Sequence, residues 1–205
     1  MKIAVFGATG GVGRAFTQQA LAAGHTVTAL VRDPARMDIE DAGLALVVGN
    51  VLDADAVAQT VTGADAVLCT LGNTPNNPDL VVSKGTAEIV KAMEAQGVRR
   101  LVVISSLGVG DSKDQVPFAF KMLMKTVLRK AMQDKEAQED LVRATDLDWT
   151  IIRPGGLNND AASGDYTVGL DHSITAGMVS RADVAAFALQ ETLSPQYVGQ
   201  TPAIT

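Results

Sequence analysis

Ile3-Ala4-Val5-Phe6-Gly7-Ala8-Thr9-Gly10-Gly11-Val12-Gly13-Arg14 lies at the start of the chain and decides its fold. The apolar run Ile3 to Phe6 reads as a buried strand. Gly7, Gly10 and Gly13 then form a tight turn. Ala15 to Ala23 follows with helical periodicity, Phe16, Gln19–Ala20 and Ala23 sharing a face, and stops at Gly24. Strand, glycine turn and helix in this order are the context of a dinucleotide fingerprint. Gly7 permits the turn, Gly10 lets a pyrophosphate approach the backbone, and Gly13 lets the helix pack on the strand. The amides of Gly10, Gly11 and Val12 are expected to point at anionic oxygens, aided by the helix dipole. The bland alternative is a tight turn with no ligand.

The next strand, Thr26 to Val31, ends in Arg32-Asp33-Pro34-Ala35-Arg36. An acidic residue about 20 positions past the glycines would hold ribose hydroxyls, whereas an arginine suits a 2′-phosphate. Arg32 lies 19 residues beyond Gly13. Its guanidinium can meet a phosphate through two parallel hydrogen bonds, and Arg36 adds a second contact. NADP(H) is therefore expected over NAD(H). Asp33 would oppose the phosphate if it pointed inward, and a solvated surface role for Arg32 is the other reading.

Composition excludes several classes. The 205 residues suffice for one large domain with a buried core. A net charge of −6 argues against a general nucleic-acid binder. No apolar run approaches the ~20 residues of a membrane span, so no membrane partner is expected. Cys69 is the single cysteine and cannot form an internal disulfide, which points to the cytoplasm. His25, His172 and Cys69 are far apart in sequence and offer no metal-ligand cluster. Cys69 itself reads as a small core residue.

Further strands are expected at Leu44 to Val48, Ala64 to Thr70, Leu101 to Ser105 and from Asp148 to the turn at Pro154, with a short strand pattern near Tyr166 to Val168 and a last edge strand at Tyr197 to Ile204. Helices are expected at Ala54 to Val61 behind the N-cap Asp53, from an Asn77–Pro78 start to Gln96, over Pro117 to Ala144, and at Arg181 to Leu193 behind a Ser180/Asp183 capping box. Alternating strands and helices describe an α/β fold: a Rossmann-type doubly wound parallel sheet of six or seven strands in one domain. Substrate-side loops are expected at about 107–120 and 156–178.

Ligands bind outside the carboxyl ends of parallel strands. Asn50 and Val51 at the third tip are candidates for the adenine edge, although Asn50 also fits a simple turn. Leu71-Gly72 at the fourth tip should face the pyrophosphate and the nicotinamide ribose. Ser105 and Ser106 end the fifth strand, where hydroxyls bond a substrate carbonyl or the nicotinamide, or else cap the turn. The Met- and Phe-rich run after Pro117 reads as core or as a soft substrate wall.

These segments together resemble the atypical short-chain dehydrogenase/reductases. Gly-Ala-Thr-Gly-Gly-Val-Gly, Leu-Val-Arg-Asp-Pro-Ala-Arg, Gly-Asn-Val-Leu-Asp, Leu-Val-Val-Ile-Ser-Ser, Asp-Trp-Thr-Ile-Ile-Arg-Pro-Gly and Ser-Arg-Ala-Asp-Val-Ala carry the likeness over nearly the whole chain. The short NAD(P)H-binding variety fits best, a group that includes flavin reductase (biliverdin reductase B) and NmrA-like relatives. The resemblance implies NADPH binding through the glycine turn (Gly7, Thr9, Gly10, Gly11, Val12), Arg32, Asn50, Val51, Leu71, Gly72 and the turn holding Ile152, Pro154 and Gly155. It also implies a small substrate over the nicotinamide.

The wider superfamily uses a Tyr-x-x-x-Lys pair in which the lysine lowers the tyrosine pKa. Here Lys135 has Ala131 four residues before it, and neither Tyr166 nor Tyr197 has a lysine four residues on. Two functions lead, beside a nucleotide-sugar or isoflavone-type reductase, for which 205 residues leave little room for a substrate domain. The first is hydride transfer from NADPH to a flavin, quinone or other conjugated small-molecule acceptor, the proton coming from water, with Ser106 as the catalytic-side polar contact. The second is an NADP(H)-sensing regulatory protein of the NmrA-like kind. The protein is expected to be a monomer or a small homo-oligomer.

Overall fold

The computed structural model of the chain describes residues 1–73 and 80–205. It is built from β1 (Lys2–Phe6), α1 (Gly11–Ala22), β2 (Thr26–Val31), β3 (Leu44–Val48), α2 (Ala54–Val61), β4 (Ala66–Cys69), α3 (Val81–Gln96), β5 (Arg100–Ile104), α4 (Phe118–Lys125), α5 (Arg129–Arg143), β6 (Asp148–Pro154), β7 (Gly156–Asn158), β8 (Val168–Gly169), β9 (Met178–Ser180), α6 (Arg181–Leu193) and β10 (Ala203–Ile204). The central sheet runs β3-β2-β1-β4-β5-β6-β10-β8. Every described pairing in it is parallel except that of β10 with β8. The order reverses between β1 and β4, and there the carboxyl ends open a ligand crevice.

β1 shows why the sheet lies inside the molecule. Ile3 and Val5 face one core, with Phe16 and Ala20 of α1 and Val184 and Phe187 of α6. Ala4 and Phe6 face the other, with Val57 of α2 and Ile89 and Met93 of α3. A strand buried on both faces has no reason to alternate, so it reads as an unbroken apolar run. Asp53 caps α2 as its sequence requires, its carboxylate accepting from the amides of Asp55 and Ala56.

Some expectations need correction. The sheet has eight strands rather than six or seven, because the short strand read near Tyr166 to Val168, which forms at Val168–Gly169, joins the central sheet as an antiparallel edge. The C-terminal strand is therefore not the edge: β10 lies between β6 and β8. The long helix after Pro117 is two helices. Thr126 leaves helical geometry at φ −114°, ψ −91°, and its hydroxyl donates to Met122 O while Leu128 N reaches back to Leu123 O. A side chain that competes for the backbone carbonyls favours such a break. The expected helix start at Asn77–Pro78 lies outside the described residues. The described helix begins at Val81, after Leu80 in a left-handed conformation (φ 61°).

The Ser180/Asp183 box does more than cap α6. Ser180 Oγ and the Asp183 amide and carboxylate bond reciprocally, and the same carboxylate accepts from the amides of Ser163 and Gly164. Burial opposes its charge, but the hydrogen bonds from Gly164, Ser180 and Ser163 prevail and hold its pKa below the usual carboxylate value. A lowered folded pKa gives stability that is full above the unfolded value of about 3.9 and is lost as pH falls through the folded one. Asp183→Ala is expected to cost about 1–3 kcal/mol at pH 7. Urea midpoints would show this, with the gap between variant and parent narrowing at pH 3. A gap of equal size at both pH values would deny the carboxylate this role.

Candidate NAD(P)H site

The glycine turn has the geometry its sequence requires. Gly7 adopts φ +88°, and a Cβ there would lie 2.6 Å from Thr70 Oγ1. At Gly13 a Cβ would collide with the Gly7 carbonyl, so α1 packs directly on the turn. Thr70, which sequence reasoning did not single out, fixes this arrangement from the tip of β4: its hydroxyl serves the carbonyls of Phe6 and Gly7 at 3.0 and 3.1 Å. One detail of the expected cradle changes. The Gly10 amide is not free but donates to Gly7 O at 2.9 Å. The first bond inside α1 runs from Arg14 N to Gly10 O, so the amides of Gly11, Val12 and Gly13 precede it and are the ones directed outward. No side chain caps this helix start. The uncapped amides and the glycines that keep the turn's own side chains out of the way fit a pyrophosphate.

Arg32 and Arg36 are exposed at the tip of β2, Arg36 at the end of a short 3-10 turn, Pro34–Arg36. Asp33 does not point at them: its carboxylate accepts from Ala35 N at 3.0 Å and caps that turn. Asn50 is exposed and its side chain accepts from Leu52 N. Val51 is buried against Gly85 of α3, where a Cβ would lie 2.7 Å from Val51 Cγ1. The Val51 side chain is therefore committed to the core. Leu71 packs partly on the same core, and Gly72 is exposed, with room for a Cβ.

The β5 and β6 tips are more committed. Ser105 is buried, and its hydroxyl donates to Glu139 Oε1 at 2.6 Å. Ser106 is half-buried with its hydroxyl on Leu107 O at 3.0 Å. The carbonyls of Ile152 and Pro154 accept from Ser105 N and Leu107 N, and Gly155 N donates to Ile204 O. A Cβ on Gly155 would meet Gly177 O at 2.5 Å, so this glycine also serves a close backbone approach. Thr9 is half-buried within the glycine turn.

Behind these tips lies an ion network that α5 supplies. Glu139 accepts from Arg153 Nε at 3.1 Å and Nη2 at 2.5 Å, and Asp111 meets the same Nη2 at 2.6 Å. The side chains of Arg153 and Glu139 are 3% and 2% exposed, so each charge depends on the other. Burial works against the Arg153 cation, but the hydrogen bond to Glu139 wins and raises its pKa. Lys135, one turn earlier, donates to Ile104 O at 3.1 Å. Its pKa is lowered by burial, against the charges of Cys69, Glu139 and Asp134. Lys135 thus stands at the β5 tip, and the residue four positions before it, where a Tyr-x-x-x-Lys pair would need a tyrosine, is Ala131.

The segments 107–120 and 156–178 are joined. Gln115 Nε2 donates to the carbonyls of Asp171 and Ile174, and its own carbonyl accepts from Ala176 N. A cavity of about 260 Å³ lies beyond them, between Asp111, Gln115, Arg153, His172, Gln200 and Thr201. None of the glycine-turn residues lines it.

Residues 7–195 match the model of a family described as NAD(P)H-binding. The chain belongs to that family. Relatives of this NAD(P)H-binding protein include oxidoreductase stcQ of Emericella nidulans, 31% identical over 211 residues that cover 88% of this chain and 76% of that one. The (4-alkanoyl-5-oxo-2,5-dihydrofuran-3-yl)methyl phosphate reductase of Streptomyces griseus is 28% identical over 210 residues, 99% of this chain and 67% of that one. Among solved structures, ChuY, an anaerobillin reductase from Escherichia coli O157:H7, superposes with a TM-score of 0.85 at 27% identity, covering 100% of this chain and 96% of that one. The chain is thus an NAD(P)H-binding oxidoreductase with a Rossmann-like fold. No described helix is long and apolar enough to cross a membrane.

Proposed function

We propose that the protein is an NADPH-dependent reductase that passes hydride to a small conjugated acceptor of the flavin, quinone or linear tetrapyrrole kind. The observation that carries this reading is that the strand tips hold a lysine without a phenol. Tyr166 and Tyr197 are ring partners of Phe187 on α6, at centroid distances of 6.5 and 6.0 Å. Burial, then the Asp183 charge, raises the Tyr166 pKa above its ordinary value, the opposite of what a proton-donating phenol needs. An acceptor whose conjugation spreads the incoming charge has no need of such an acid. The reductase names of ChuY and of the Streptomyces griseus relative, whose substrate name describes an unsaturated furanone, support the same acceptor class.

NADPH, when bound, supplies the hydride, and water supplies the proton that completes the two-electron reduction. The chain contributes position. Uncapped amides at the start of α1 hold the pyrophosphate; Arg32 and Arg36 hold the 2′-phosphate; Asn50 and the Val51 backbone border the adenine. Leu71, Gly72 and the Ile152–Gly155 turn line the path to the nicotinamide, and Ser106 offers its hydroxyl to the acceptor. On the acceptor side α4 exposes Phe118, Met122 and Leu123, a soft apolar wall for a flat molecule.

NADPH oxidation is the test, followed by absorbance with FMN or menadione in large excess over enzyme. Steady multiple turnover is expected. Tight NADPH binding with no turnover on either acceptor would favour the sensing function instead. Ser106→Ala should lower kcat/KM only about fivefold, the scale of one neutral hydrogen bond. A loss of a hundredfold or more would make Ser106 a proton-transferring group and contradict the mechanism above.

A further inference from the structure

Arg181 opens α6 and in the sequence is merely the second residue of a capping box. The structure lays its side chain across the start of α1. A Cβ on Gly11 would collide with Arg181 Cδ and lie 2.6 Å from its Nε. The space a side chain at Gly11 would take is thus occupied by an arginine from a helix 170 residues further along the chain. Arg181 therefore stands at Gly11, the first residue of α1, where the uncapped amides of the turn begin. Its Nη1 donates to Asn158 O at 3.1 Å and to Asn159 Oδ1 at 2.7 Å.

Charge distinguishes this arginine from its neighbour. Arg14, the other cation of the turn, is ion-paired with Asp38, whose pKa is lowered first of all by that hydrogen bond. Arg181's hydrogen-bond partners among the described residues are neutral amide oxygens. The first turn of α1 contains no acidic residue and no side-chain cap. Helix dipole, uncapped amides and an arginine charge thus meet at the start of α1, an arrangement that suits an anionic ligand.

We infer that Arg181 is a pyrophosphate-binding residue. It places a cation beside the α1 amides and, through Asn158 and Asn159, ties the loop after β7 to the cofactor. This role rests on dinucleotide binding at the glycine turn. It differs from that of Arg32 in a way that can be measured: both NADPH and NADH carry the pyrophosphate, so Arg181 serves them equally.

The test is a fluorescence titration of the parent and of Arg181→Met, which keeps the hydrocarbon packing over Gly11 but removes the charge. NADPH and NADH should each bind roughly tenfold more weakly to the variant, the scale of one charge-assisted contact. Adenosine 2′-monophosphate, which lacks the pyrophosphate, should bind both proteins alike. Arg181→Lys should recover part of the loss, and the melting temperatures should stay close. Arg181→Met binding both dinucleotides as tightly as the parent would overturn the role and leave the site itself standing. Weakening that extends equally to adenosine 2′-monophosphate would show a structural effect and also overturn it. A parent that binds neither dinucleotide would remove the site and the role together.

Discussion

Glu139→Ala should lower the melting temperature by about 6–12 °C. A buried ion pair that loses one partner leaves the other charge stranded, at a cost of about 3–5 kcal/mol. Here Asp111 still reaches Arg153 Nη2 at 2.6 Å, so the lower figure, about 3 kcal/mol, applies. For a chain of this size each kcal/mol moves the midpoint by roughly 2–4 °C. Calorimetry on the parent, Glu139→Ala and the pair Glu139→Leu/Arg153→Met decides the matter. The double variant removes both charges and restores apolar volume, so it should recover most of the loss. A single variant as stable as the parent would mean that the network contributes nothing to folding. Because Ser105 donates to the same carboxylate, the single variant also frees a hydroxyl beside Ser106, and kcat should fall together with stability.

That network explains how far the sequence could be read. Turns and caps were legible because each depends on one residue type at one spacing. Gly7, Gly13, Asp53 and the Ser180/Asp183 box all stand where local chemistry demands them. β1 was legible because a doubly buried strand is continuously apolar. The inward face of α5 was not, since its buried members include Asp134, Gln138 and Glu139, and apolar periodicity cannot detect a helix that buries acids. Their partners, the α3 amides, Thr86 and Arg153, lie 14 or more residues away. Arg181 was hidden for the same reason: its function at Gly11 is a tertiary contact between the two ends of the chain. The break at Thr126 reflects a hydroxyl competing for backbone carbonyls. The Gly10 amide was misread because spacing does not show whether a turn closes on itself or opens to a ligand.

Arg32→Ala should separate the two dinucleotides. A guanidinium that meets the 2′-phosphate with two charge-assisted hydrogen bonds contributes about 1.5–3 kcal/mol, which corresponds to a loss of roughly 10- to 100-fold in NADPH affinity. NADH has no such phosphate and should bind the variant about as well as the parent. Geometry favours this outcome in two ways. Arg32 is exposed at the end of β2, and the carboxylate of Asp33, its sequence neighbour, is engaged in the Pro34–Arg36 turn by its bond from Ala35 N. Arg36, at the end of that turn, supplies a second cation, so Arg32→Ala/Arg36→Ala should weaken NADPH further and leave NADH where it was. Raising salt from 50 to 500 mM should erode the NADPH preference of the parent, because both contacts are solvent-exposed and screened. Equal losses for NADH and NADPH would assign Arg32 to a part of the ligand that the two share, and NADH would then become the first donor to try in the reductase assay.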